Sequence, residues 1–292
     1  MTITPAVVVF GSIHYDIIVK SPDRPKKGET VAGTAWHPKC GGKGGNQAVS
    51  AANHGVKSVM IGVVASDTFG QVLKDNFNHH GVDTRWLRTI EGDGSGMSVA
   101  IFDAEGDYGA VIVSGSNLAL CEDDVIAAQD VFCNGSILVL QNEIQDTANV
   151  HAAQAMHKAG GTVILNAAPA RPLSSQLAKL IDILVVNTVE AEALAKCAPI
   201  NSLTAALKAA KILVKDYPNI VVTAGGDGVA FACQNGETGQ IPAQKVKLVS
   251  THGAGDKFIG VLAAELFKGA SLAEAISVGN SAAALHVSQA EK

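Results

Sequence analysis

Six short runs of apolar, largely β-branched residues recur along the chain: Val7–Phe10, Val59–Val64, Ile137–Leu140, Thr162–Leu165, Ile183–Val186 and Ile220–Thr223. Each has the length of a strand, and none alternates with polar residues, so each is expected to be buried on both faces. Segments with helical spacing lie between most of them, for example Gln71–His80 and the Ala-rich Asn149–Lys158 and Leu203–Lys215. Strands of this kind alternating with helices predict a mainly parallel sheet covered on both sides, an α/β core. No internal repeat, low-complexity tract or Pro/Ser-rich linker interrupts the pattern.

Two stretches break the rhythm. His14–Val19 with Thr30–Ala35, and Ser98–Phe102 with Gly109–Val113, alternate with a period near two. The second pair flanks Asp103-Ala104-Glu105-Gly106-Asp107, a turn-rich loop that predicts a hairpin. A small antiparallel sheet beside the core is expected, from excursions at about 14–38 and 96–113. It is either a lid over a site at the strands' C-terminal ends, where open α/β sheets bind ligands, or an edge extension with no gating role.

Composition narrows the function. The chain has 292 residues, 47% hydrophobic and 17% charged, with a formal net charge of −5. That balance suits a well-packed soluble domain, and no basic run is present to follow a nucleic-acid backbone. Five scattered cysteines without CxxC spacing read as reduced thiols. The start Met1-Thr2-Ile3-Thr4-Pro5 lacks a basic signal-peptide region, and no apolar run reaches the ~20 residues of a membrane span, so a cytoplasmic protein is expected.

Ser250-Thr251-His252-Gly253-Ala254-Gly255-Asp256 leads into Lys257–Phe267, where Phe258, Leu262 and Leu266 repeat every four residues. A buried helix therefore begins near Gly255. Small residues at a helix start leave backbone N–H groups approachable, and with the helix dipole they form an anion hole. In phosphoryl transfer those amides would stabilise the transferred group, and Asp256 in the first turn would take the acceptor's proton. A Gly-rich turn with a capping Asp is the simpler alternative. Thr223-Ala224-Gly225-Gly226-Asp227-Gly228 suits close approach to a nucleotide, or an ordinary hairpin turn. Asn187-Thr188-Val189-Glu190 ends the Ile183–Val186 strand. It can hold Mg²⁺ through water, form a capping box, or do both.

At the other end, Gly41-Gly42-Lys43-Gly44-Gly45-Asn46-Gln47 precedes a helical pattern over Ala48–Asn53. Four glycines in five positions make poor helix and poor core, and suit a ligand lying on the backbone. Lys43 and Asn46 supply hydrogen-bonding groups for a polyol. The spacing matches neither the P-loop nor the dinucleotide fingerprint. Ser12, His14 and Asp16 share one strand face, either binding sugar hydroxyls or facing solvent. Glu143 follows the Ile137–Leu140 strand and is placed to enter the same cleft.

Gly41–Gln47, Asn166-Ala167-Ala168-Pro169-Ala170, Asn187–Glu190, Thr223–Gly228 and Gly253–Asp256, in that order, resemble the ribokinase-like carbohydrate kinases (the PfkB family). Ala65–Gly70 and Gly81–Thr84 resemble them too, so the likeness runs from Gly11 to about Asn280. It implies a three-layer α/β/α fold with a small β lid, homodimerisation through the lids, ATP and Mg²⁺, and phosphoryl transfer to a sugar's terminal hydroxyl. It also implies that His14, Asp16, Gly42, Lys43, Asn46, Glu143 and Asp256 face the sugar. Asn187, Glu190, Thr223, Gly225, Gly226, Gly228, Gly255 and Asn280 would face the nucleotide, with Glu190 toward Mg²⁺. Gly253, Ala254 and Gly255 would form the anion hole and Asp256 the base.

The Gly-Gly-Lys-Gly-x-Asn-Gln form is most similar to ribokinases and deoxyribokinases, implying D-ribose or a related pentose. Deoxyribose, another furanose, a nucleoside or a sensor role are the alternatives. Three departures stand out. His14 replaces the usual Asn, Ser250 replaces an Asp that helps hold potassium, and the sequence stops at Lys292 before the loop that completes that ion site. Independence from a monovalent cation is therefore expected.

Overall fold

The computed structural model describes residues 4–105 and 107–289. Met1, Thr2 and Ile3 of the N-terminal stretch, Gly106 of the hairpin turn and Lys292 lie outside the described residues. In chain order the strands are β1 (Val7–Phe10), β2 (His14–Lys20), β3 (Ala35–Gly41), β4 (Ser58–Ala65), β5 (Leu87–Ile90), β6 (Met97–Phe102), β7 (Tyr108–Val113), β8 (Ile137–Gln141), β9 (Thr162–Asn166), β10 (Ile183–Asn187), β11 (Asn219–Thr223), β12 (Gly228–Cys233) and β13 (Thr238–Pro242). The helices are α1 (Lys43–Asn53), α2 (Thr68–His79), α3 (Glu122–Ala127), α4 (Asp146–Lys158), α5 (Ser175–Ala178), α6 (Thr188–Ala195), α7 (Leu203–Leu213), α8 (Ala254–Phe267) and α9 (Leu272–Val287).

The main sheet runs β13-β12-β11-β10-β9-β8-β1-β4-β5. From β11 to β5 every pairing is parallel, while β12 and β13 add antiparallel at one edge. Every residue of β1, β4 and β8 is buried, as continuous apolar runs require of strands covered on both faces. Successive side chains take opposite sides. Val8 and Phe10 pack with α4, α6 and α7, while Val7 and Val9 pack with α1, α2, α8 and α9. The expected three-layer α/β/α core is present.

The smaller sheet runs β3-β2-β6-β7 and differs from expectation in two ways. It is mixed rather than antiparallel, because β2 pairs with β6 in parallel over Tyr15–Lys20 and Met97–Phe102. Its two excursions follow β1 and β5, which are parallel in the main sheet, so their first strands leave in the same direction. The partner of β2 is also Ala35–Gly41, not Thr30–Ala35. Alternation cannot set register, whereas pairing His14 with Gly41 brings the Gly-rich segment beside β2.

Helix α1 starts at Lys43, ahead of the Ala48–Asn53 pattern, and takes in Gly44 and Gly45. Gly42 caps it at φ 80°, where a Cβ would lie 2.6 Å from His14 N and 2.8 Å from Ile13 Cα. The glycine here admits the close approach of the chain's own backbone. That contact, with Gly45 N–H donating to the Ser12 carbonyl at 2.9 Å, outweighs the low helix propensity of glycine. Among the described residues no helix is long and apolar enough to cross a membrane.

Candidate active site

The C-terminal ends of β1, β8, β9, β10 and β11 point at the starts of α1 and α8. A cavity of about 140 Å³ opens there, lined by Lys43, Asn166, Asn187, Glu190, Thr223, Gly253, Gly255 and Asp256, together with the apolar Phe258 and Ile259. Residues from distant parts of the sequence thus meet because parallel strands all end on one side.

Asp256 lies in the first turn of α8, and only 8% of it is exposed. Its Oδ2 accepts from Asn46 Nδ2 at 3.0 Å and its Oδ1 from Gln47 Nε2 at 2.9 Å. Gln47 Oε1 in turn accepts from Gln141 Nε2 at 2.9 Å, which fixes the direction of the Gln47 amide. Burial pushes the Asp256 carboxyl above the usual range, against the pull of Lys43 and of its two amide donors, with Glu143 adding to the rise. A carboxylate so placed is a stronger base than one in water.

Across the cavity Asn187 and Glu190 form a reciprocal capping box. Glu190 N–H donates to Asn187 Oδ1 at 2.9 Å, and Asn187 N–H to Glu190 Oε2 at 2.8 Å. Burial raises the Glu190 carboxyl, while the Asn187 N–H and Lys43 draw it down. Glu190 therefore caps α6 and lines the cavity at once. Lys43 acts electrostatically on both Asp256 and Glu190, so one cation serves both sides of the cavity.

At the start of α8, Gly253 holds φ 74°, a left-handed conformation suited to glycine, and Gly253 and Gly255 line the cavity. Ala254 departs from the expected set: its N–H turns back to the Thr251 carbonyl at 3.3 Å. The tight turn entering the helix uses that amide itself. Thr223–Gly228 is a hairpin connection between β11 and β12, closed by Ala224 N–H on the Gly228 carbonyl at 2.7 Å. Gly225 and Gly226 nevertheless face open space, since nothing lies within 4 Å of a Cβ built on either. Asn280 stands apart from the cavity and donates its amide to the Pro242 carbonyl at 2.9 Å.

The polar face of β2 is buried, which removes the solvent-facing alternative. His14 is 3% exposed, and its Nε2 has no hydrogen-bond partner. Asp16 Oδ1 accepts from Ser98 Oγ at 2.5 Å, and Gly41 lets the carboxylate lie against it, since a Cβ there would be 1.9 Å from Oδ2. Glu143 Oε2 accepts from Ser12 Oγ at 2.5 Å and from the Lys43 N–H at 3.0 Å, so it also caps α1. Gln141, Asn166 and Ser98 escape the sequence as site residues. Gln141 ends an apolar strand, a positional signal only; Asn166 ends another and opens a family-like segment without being singled out in it; Ser98 carries no signal.

A family model described as "pfkB family carbohydrate kinase" matches residues 4–291. The chain is 34% identical to the ribokinase of Haemophilus influenzae over 283 residues, covering 97% of this chain and 92% of that protein. It is 34% identical to the deoxyribokinase of Salmonella typhi over 259 residues, 88% of this chain and 84% of the other. The structure of Arabidopsis thaliana ribokinase complexed with ribose and ATP superposes with a TM-score of 0.88 at 28% identity, covering 97% of this chain and 93% of that one. With that match along its whole fold, the chain belongs to the pfkB family of carbohydrate kinases and is an ATP-dependent sugar kinase.

Proposed function

We propose that the chain transfers the γ-phosphoryl group of ATP to the 5-hydroxyl of D-ribose or a related pentose. One observation carries the residue roles: Asp256 is buried, amide-anchored and raised in pKa at the mouth of the α8 N-terminus. Asp256 takes the hydroxyl proton as the oxygen attacks. The Gly253 and Gly255 amides, with the dipole of α8, meet the charge that builds on the phosphoryl oxygens, and Ala254 joins them only if its N–H leaves Thr251. Lys43 neutralises the same region. His14, Asp16, Gly42, Asn46 and Glu143 hold the sugar, and Asn187, Thr223, Gly225, Gly226, Gly228 and Asn280 lie on the nucleotide side.

The donor set fits Mg²⁺ held through water. Glu190 lines the cavity with an anionic carboxylate, and among the described residues no cluster of three or more His, Cys, Asp or Glu makes an all-protein cage. When bound, Mg²⁺ neutralises charge on the β- and γ-phosphates. The smaller sheet acts as a lid. Asp16 and Ser98 share one of its faces, while Ile17, Val19, Trp36, Val99 and Val111 share the other. Trp36 is 67% and Val111 68% exposed, and this apolar face pairs two copies of the chain as a homodimer in the cytoplasm. Asp16 is thereby held at the sugar while the same sheet joins the subunits.

2-Deoxyribose is the second reading, favoured by the deoxyribokinase relative and by an imidazole at His14. The test is ADP release from Mg-ATP against pentoses, deoxypentoses, hexoses and nucleosides, with wild type and Asp256→Asn side by side. Turnover with one pentose, lost in the variant while ATP still binds, supports the assignment. Turnover retained by the variant removes Asp256 from the role of base. Binding without turnover for every acceptor points to a sensor.

A further inference from the structure

The segment that delivers the chain to the anion hole, Val249–Gly253, lies outside any helix or strand. It is fastened to the end of α9. Val249 N–H and Ser250 N–H donate to the Val287 carbonyl at 2.8 and 3.3 Å. His286 Nε2, in the last turn of α9, lies 2.9 Å from the His252 carbonyl oxygen. A carbonyl oxygen only accepts, so Nε2 carries the proton whether the ring is neutral or charged.

The position of that carbonyl matters because the peptide unit is planar. The His252 C=O and the Gly253 N–H belong to one peptide plane and point in opposite directions. Fixing the oxygen therefore aims the N–H. Gly253 is the N-cap of α8, and a Cβ built on it would be 3.4 Å from His286 Nε2, so the imidazole also sits beside the turn it secures. We propose that His286 is a positioning residue of the anion hole, its Nε2–H on the His252 carbonyl aiming the first amide at the transferred phosphoryl group. This rests on the phosphotransferase assignment of Gly253–Asp256.

A monovalent cation is the family's implied support for this loop, and the residues here do not fit one. Ser250 offers a neutral hydroxyl that already accepts from His252 N–H at 3.3 Å, and the His252 carbonyl takes a proton donor. A donor on α9 does the structural work an ion would otherwise do.

His286→Met and His286→Gln separate the hydrogen bond from the bulk of the side chain, since the two are alike in length and only Gln donates. We expect His286→Met to lose kcat about 10- to 100-fold, the scale of a displaced anion-hole group, with the sugar KM almost unchanged. His286→Gln should recover most of it. Amide exchange over residues 251–256, followed by mass spectrometry, should quicken in His286→Met and not in His286→Gln. Full kcat and unchanged exchange in His286→Met overturn the proposal, as does an equal loss in both variants. Absence of turnover in wild type would sink the kinase assignment instead, and the exchange comparison would still judge the strut.

Discussion

Replacing Gln47 by Leu tests how Asp256 is held as a base. Gln47 is fully buried, so it cannot reach the sugar, and its Nε2 gives Asp256 Oδ1 one of its two amide hydrogen bonds. A hydrogen bond to a charged group contributes about 1.5–3 kcal/mol, and its loss weakens the ionised carboxylate far more than the protonated acid. The carboxyl, already raised by burial, moves further up. Wherever protonation competes, the ionised fraction falls by a factor of about 10 to 150, at 1.4 kcal/mol per tenfold. The assay is kcat/KM for sugar against pH, which reports the free enzyme's essential base. The acidic limb should shift toward higher pH, with activity recovering above it and the sugar KM nearly constant there. A loss of equal size at every pH would mean that geometry, not ionisation, was damaged. An unmoved limb would refute the reasoning outright.

Three further outcomes follow from the same geometry. Asp256→Asn should raise the melting temperature at neutral pH while abolishing turnover. A carboxyl raised in the folded state contributes stability that is complete below its unfolded pKa and lost as pH rises through the folded one. The gain should shrink as the pH falls toward the ordinary carboxylate range, and a variant less stable than wild type at neutral pH would contradict it. Gly41→Ala puts a Cβ 1.9 Å from Asp16 Oδ2 and must displace that carboxylate, so the sugar KM should rise about tenfold or more; an unchanged KM removes Asp16 from sugar binding. Wild-type turnover should be the same in sodium and potassium salts, and strong stimulation by potassium would show that Ser250 and His286 do not exclude the ion.

Much of this protein was legible before any tertiary structure. Apolar runs such as Val7–Phe10 and Ile137–Leu140 are strands because continuous β-branched burial suits little else beside amphipathic helices. The start of α8 was readable from small residues followed by a four-residue apolar repeat, and Asn187–Glu190 announced its capping box through local spacing alone. Both depend on neighbours within one turn of helix. What tertiary structure alone decided involves partners far apart along the chain. The register of β3 on β2, the parallel joining of β2 to β6 and the early start of α1 over two glycines follow from packing that overrides local preference. Gln141 reaches Asp256 through Gln47 only because β8 ends, and α1 and α8 begin, at the same side of the sheet. His286 likewise gains its place when α9 returns along α8 to the loop that feeds it. Sequence spacing determines which side chains share a strand or helix face, but which faces meet is set by how the elements pack.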